Sequence, residues 1–228
     1  DGIRDVAVTG VQTCALPISR SSDVAKLAGL RGLPITGVFT FPGHSYGPGQ
    51  ATLAANQEGE AVSQVAEQLR AAGFDIQHRS GGSSPSAAFS SAKYMTEVRP
   101  GVYALGDAQQ FELDRCGWDD IALTIAATVV SRRVDTHQFI LNAGSKVVGS
   151  DRPAWATGYG RILGVPDARI TALSEHHATV LWPEGWALPE LGSQVRVVPN
   201  HVCLVMNLVD EVTVIDGDTV RSEEHTSE

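Results

Sequence analysis

Between Ser22 and about Asp114, strand-length apolar runs alternate with helical periods, whereas beyond Cys116 only short strand-like runs remain. The two halves of the chain therefore fold by different rules. In the first half, SSDVAKLAGL opens on Ser and Asp and spaces its apolar residues for a short helix. PITGVFTF, bounded by Pro34 and Pro42, reads as a buried strand. ATLAANQEGEAVSQVAEQLRAAG places Val62, Val65, Ala66 and Leu69 on one helical face, with Gly73 as a left-handed stop. FDIQHRS is a further strand that runs into GGSSPS. Strand, helix and strand with a glycine-rich turn at the strand end is α/β, either barrel or doubly wound. In the second half, IALTIAATVVSR, HQFILNAG, ARITALSEHHATVLW, SQVRVVPNH and DEVTVIDGD are separated by Gly, Pro and Asp turns. That pattern is an all-β module.

The 228 residues give room for one or two domains with a real core. With 43% apolar and 19% charged residues the composition is that of a soluble globular protein, and no run of apolar residues is long enough to span a membrane. The net charge of −9 and the lack of a Lys/Arg stripe argue against nucleic acid as a partner.

The two ends follow neither period. One DNA string, ttcagacgtgtgctcttccgatct, encodes QTCALPI read one way and RSEEHTSE from its reverse complement. Both ends therefore resemble translated sequencing adapter joined to a single DNA fragment, and residues 1–19 and 221–228 are expected to be non-native. The natural protein is then expected to extend further on the N-terminal side. Cys14 falls in such an end, which leaves Cys116 and Cys203. Two cysteines and no secretory signal point to a reducing, cytoplasmic location without a disulfide framework.

Three segments could carry chemistry. GGSSPS has the composition of a phosphate cradle, since glycines let backbone N–H groups converge and hydroxyls add donors. By composition alone it is more often an ordinary turn. FPGHSYGPG sets His44 and Tyr46 directly after a strand, where α/β folds build sites, although on the residues alone a solvated loop with a packed tyrosine fits better. PNHVC holds His201 and Cys203 two residues apart, which is either a metal pair or a small apolar thiol beside a polar loop residue.

Taken in order, GVFTFPGHSY, GGSSPS, EVRPGVYALGD, NAGSKVVGSD, ITALSEHH and VVPNHVCLVMNLVDEVTVIDGD resemble the D-serine dehydratase-like family of pyridoxal-phosphate enzymes, which includes D-threonine aldolases. The resemblance spans residues 22–220 and is strongest at the last segment. It departs from the family pattern at Asn142, where an aspartate is usual, and at Leu204, where a proline is usual.

The resemblance implies an alanine-racemase-type (β/α) barrel, present in part as residues 20–116, followed by a β-domain over residues 117–220. It implies Zn²⁺ at His201 and Cys203, with solvent or substrate in the remaining positions. Imidazole and thiolate suit zinc, and open positions suit catalysis. It places Gly82, Ser83 and Ser84 at the phosphate of pyridoxal 5'-phosphate, with His44, Tyr46 and Tyr103 lining that pocket and Asp107 on the same rim. The family lysine that carries the cofactor lies upstream of these segments. Lys26, Lys93 and Lys146 are not in its context, so this chain alone is expected to be inactive. The expected parent activity is that of a lyase converting D-serine to pyruvate and ammonia. The alternatives are a D-threonine or 3-hydroxy-D-amino-acid aldolase, or a non-catalytic pyridoxal-phosphate-binding barrel. The thiol at Cys203 favours the dehydratase, because the aldolases resembled pair His-x-Asp with Mn²⁺ or Mg²⁺. A small D-amino-acid substrate and a homodimer complete the expectation.

Overall fold

The computed structural model describes residues 7–8, 18–217 and 219–225. The chain divides into two compact units, Asp1–Gly101 and Val102–Glu228.

The first unit is a four-stranded sheet with helices. β1 (Ala7–Val8) precedes α1 (Ser21–Leu30), β2 (Gly37–Phe39), α2 (Ala51–Ala71), β3 (His78–Gly81) and β4 (Glu97–Val98). The sheet order is β1-β2-β3-β4, with β2, β3 and β4 parallel and β1 antiparallel to β2. The apolar stripe expected on α2 is the buried one: Val62, Val65, Ala66 and Leu69 pack with Ala25, Val38 and Ile76. Gly73 (φ 92°) ends the helix, its N–H donating to the Arg70 carbonyl.

The second unit is mainly antiparallel. α3 (Ala108–Glu112), β5 (Ile125–Arg133), β6 (Gln138–Leu141), α4 (Ser145–Val148) and β7 (Gly160–Ile162) come first. They are followed by β8 (Arg169–Leu173), β9 (Ala178–Leu181), β10 (Gln194–Pro199), α5 (Val202–Leu208), β11 (Glu211–Asp216) and β12 (Thr219–His225). Six strands form one sheet in the order β7-β10-β5-β6-β9-β8, and β11 pairs with β12 separately. The edge strands are drawn together, because the Tyr159 N–H at the start of β7 donates to the Ile170 carbonyl of β8 at 2.8 Å. The sheet thereby curls towards closure around Phe139, Leu141, Ile170, Val180 and Val197, all fully buried. Trp182 stands edge-on to Phe139 at 5.3 Å between ring centroids. The expected strands are all present. α4 and α5 are short helices at strand ends that the strand-length runs did not announce.

β1 and much of β12 fall in the segments expected to be non-native. Their pairing has a simple cause: an open strand edge offers unpaired N–H and C=O groups that any extended backbone can meet. Residues 1–6 and 9–17 of the first such segment, including Cys14, lie outside the described residues. No helix among the described residues is long and apolar enough to cross a membrane.

Candidate functional site

In the first unit the loops that leave the C-terminal ends of β2, β3 and β4 are tied together by side chains. After β2, a tight helical turn at Gly43–Tyr46 carries His44, Ser45 and Tyr46. Ser45 Oγ lies 2.7 Å from Ser83 Oγ in the loop after β3, and Ser83 Oγ lies 2.9 Å from Ser86 Oγ. Arg99, just beyond β4, reaches back across the strands. Its Nε donates to Ser80 Oγ and a terminal nitrogen donates to the Thr40 carbonyl, each at 2.7 Å. His44 Nε2 is 2.9 Å from Gln57 Oε1 on α2, which anchors the ring on that helix. The Tyr46 ring lies 6.2 Å from that of Phe41.

The Gly82–Ser84 loop is shaped from beneath. Gly82 has φ 72°, and a Cβ there would come within 2.8 Å of Val98 Cγ1, so no side chain fits. The Gly82 N–H donates to Glu58 Oε2 at 2.9 Å and the Ser83 N–H donates to Ser86 Oγ at 3.0 Å. Two loop amides are thus held inside the protein. The Ser84 hydroxyl is buried without a hydrogen-bond partner, and it is the donor the loop holds in reserve. Glu58 itself is fully buried, with Oε1 unpartnered. Burial pushes its carboxyl up to about 7, against the opposing pull of the Gly82 N–H and of Arg99.

In the second unit His201 stands against an aspartate that sequence reading passed over, Asp151, and Cys203 follows two residues along the chain. Buried Val197, Val198 and Pro199 at the end of β10 lead to Asn200, which is 2% exposed. His201 is the extended residue before α5, and Cys203 lies in that helix's first turn. His201 Nδ1 is 2.5 Å from Asp151 Oδ2. Asn200 Nδ2 donates to the carbonyls of Asp151 and Gly158, at 2.8 and 2.7 Å, which pins the loop that carries Asp151. Asp107 clamps two helix starts: Oδ1 accepts the Gln110 N–H of α3 at 2.8 Å and Oδ2 accepts the Val202 N–H of α5 at 3.2 Å. Burial pushes the Asp107 carboxyl up to about 6, opposed by these backbone donors and by His201. The Cys203 thiol is pushed up by desolvation and by the Asp107 carboxylate. Cys116 and Cys203 are both free thiols.

Gly82, Ser83 and Ser84 thus share one loop, and Ser45, between His44 and Tyr46, bonds to it. Tyr103 belongs to the second unit, on the Val102–Ala104 turn, with 71% of its surface exposed. Asp107 is a clamp on the helix that carries Cys203. Among the described residues no three His, Cys, Asp or Glu side chains are grouped to hold a metal. Of the departures from the family pattern, Asn142 Oδ1 accepts the Thr128 N–H at 2.7 Å and Leu204 packs over Gly149. Glu58, Arg99 and Asp151 were invisible in sequence because each lies far along the chain from its partner.

Residues 122–215 match the family described as "Putative serine dehydratase domain", and residues 19–109 match "Alanine racemase, N-terminal domain". An uncharacterized protein of Mycobacterium tuberculosis is 60% identical over 119 residues, which is 51% of this chain and 90% of that protein. The chain belongs to the D-serine dehydratase-like family. Within this D-serine dehydratase-like group, the D-threo-3-hydroxyaspartate dehydratase of Delftia sp. is 32% identical over 191 residues, covering 75% of this chain and 50% of the enzyme. Its solved structure matches with a TM-score of 0.82 at 26% identity, over 94% of this chain and 62% of that one. The D-serine dehydratase of Dictyostelium discoideum is 26% identical over 201 residues, covering 80% of this chain and 51% of the enzyme. The chain thus spans about half the length of the curated dehydratases it matches. Two further structures of the Delftia enzyme carry alanine in place of a histidine and of a cysteine two positions later, and the cysteine variant is in a metal-free form.

Proposed function

We propose that these two units supply the phosphate-holding loop and the metal-holding pair of a pyridoxal-phosphate- and zinc-dependent D-amino-acid lyase. The activity proposed is a dehydratase acting on D-serine or a related 3-hydroxy-D-amino acid. The observation that carries the reading is the His201–Cys203 pair at the end of β10, with His201 oriented by Asp151 and Cys203 exposed. The Delftia dehydratase, altered at a histidine and a cysteine of the same spacing, supports it.

When bound, pyridoxal phosphate supplies an electron sink for charge at the substrate α-carbon, and Zn²⁺ supplies Lewis acidity towards an oxygen leaving group. The chain's own residues do the rest. His201 Nε2 and the Cys203 sulfur would hold the metal, a nitrogen and a soft thiolate being a donor set suited to zinc. The Ser84 hydroxyl, buried and unpartnered, would donate to the cofactor phosphate. Glu58, by holding the Gly82 N–H from below, fixes the loop that presents it. His44, held by Gln57, keeps its second ring nitrogen available to a ligand. A homodimer and a small D-amino-acid substrate belong to the same proposal.

Equilibrium dialysis against Zn²⁺ tests the reading. One zinc per chain is expected for the wild type, and loss of that zinc in Cys203→Ala and His201→Ala. Absence of zinc in the wild type, or undiminished zinc in both variants, overturns it. The D-threonine aldolase of Arthrobacter sp., 32% identical over 165 residues, makes an aldolase the second reading. In a chain completed by an upstream half, the products decide between them. A keto acid with ammonia supports the dehydratase, and glycine with an aldehyde supports the aldolase.

A further inference from the structure

Imidazole binds a metal only through a nitrogen that carries no proton, so a histidine ligand depends on which of its two nitrogens is protonated. His201 Nδ1 lies 2.5 Å from Asp151 Oδ2, and an ionised carboxylate only accepts, so against it the ring nitrogen is the donor. In the neutral ring that bond puts the proton on Nδ1 and leaves the lone pair on Nε2.

Asp151 does not reach this place by chance of a loose surface loop. Its side chain is 51% exposed, but its backbone is fixed from below by Asn200, the residue that precedes His201. Asn200 is 2% exposed and spends both side-chain N–H groups on the Asp151 and Gly158 carbonyls. Within the same loop, Arg152 Nε donates to the Ala156 carbonyl and its guanidinium lies 5.3 Å from the Tyr159 ring centre. One strand end therefore sets both partners: Asn200 holds the aspartate's backbone and His201 receives its carboxylate. The His201 side chain remains 33% exposed, which leaves it open to a hydrated ion.

We infer that Asp151 is a positioning residue of the metal pair, holding His201 in the tautomer that offers Nε2. The inference rests on the metal reading proposed above. Carboxylate partners of this kind change metal affinity by about 10- to 100-fold.

Two measurements test it. The first needs no metal: ¹⁵N-detected ring spectra of the chain at about pH 8.5, where imidazole is neutral, should show His201 protonated on Nδ1. Asp151→Ala should move the ring towards the Nε2-protonated form. A wild-type ring already protonated on Nε2 overturns the inference. The second uses Co²⁺ as the probe, followed by its visible absorption. Asp151→Ala should weaken Co²⁺ binding about 10- to 100-fold, and Asp151→Asn, which keeps an accepting oxygen without the charge, should fall between. Equal Co²⁺ affinity in wild type and both variants overturns the inference while leaving the metal pair standing. No Co²⁺ or Zn²⁺ binding by the wild type overturns the metal reading and this inference together. Should Asp151→Ala fail to fold, Asp151→Asn with the ring spectra decides the matter.

Discussion

Replacing Glu58 by glutamine removes one titrating group from beneath the Gly82 loop while keeping an oxygen to accept the Gly82 N–H. Glu58 is fully buried, and burial raises its carboxyl from 4.5 to about 7. Each tenfold change in proton affinity corresponds to about 1.4 kcal/mol, so the window between the two values holds up to roughly 3 kcal/mol. The sign follows from proton counting. Between pH 4.5 and about 7 the folded chain keeps this proton and the unfolded chain has lost it, so the carboxyl's contribution is full below 4.5 and is lost as pH rises to about 7. Asp107, raised from 3.8 to about 6, tilts the wild type the same way, so only the difference between the two proteins isolates Glu58. The four tryptophans all lie in the second unit, so unfolding of the first is best followed by far-ultraviolet circular dichroism, to which the 21-residue α2 contributes most. In urea titrations from about pH 4 to pH 8, Glu58→Gln should lose up to roughly 3 kcal/mol of the wild type's decline. The amide left facing the space of Oε1 costs the same at every pH, so the slope is the readout and the absolute value is not. A Glu58→Gln chain whose stability declines with pH as steeply as the wild type would show that Glu58 does not keep its proton in the folded chain.

Gly82→Ala forces a side chain into a left-handed backbone and against Val98, so urea unfolding should show a loss of roughly 1–2 kcal/mol from the backbone alone. Asp107→Ala leaves the Gln110 and Val202 N–H groups without their acceptor and should cost about 1–2 kcal/mol, with weaker zinc binding by dialysis as α5 loosens. All three lysines are exposed, Lys146 paired with Glu175 and Lys93 lying over the Tyr94 ring. Borohydride reduction of the chain with pyridoxal phosphate should therefore give weak, scattered labelling by mass spectrometry and no pyruvate from D-serine. Stoichiometric labelling of one lysine with pyruvate release would contradict that.

What the sequence made legible was whatever repeats along the chain or sits side by side in it. The α2 stripe of Val62, Val65, Ala66 and Leu69 declared itself because a helical face is a local pattern, and the strands of the second unit declared themselves through their length and their turns. GGSSPS and PNHVC could be singled out for the same reason. Glu58 could not, because a glutamate in mid-helix looks like any solvent-facing residue until Gly82, 24 positions on, is folded over it. Asp151 was hidden likewise, 50 positions from His201 and within a segment that reads as a polar turn. α5 escaped because VCLVMNL is too short to show a period, and its start is fixed by Asp107 from 95 residues away. Strand pairing at Ala7–Val8 was equally beyond reach, since an edge accepts backbone without regard to side chains.

Whether His201 and Cys203 hold a metal with open positions is read from zinc-edge X-ray absorption of the zinc-loaded chain. One sulfur at about 2.3 Å, one imidazole nitrogen at about 2.0 Å and lighter oxygen scatterers completing the shell are expected, with the sulfur lost in Cys203→Ala. A shell without sulfur in the wild type, or one closed by four protein nitrogen and sulfur ligands, would contradict it.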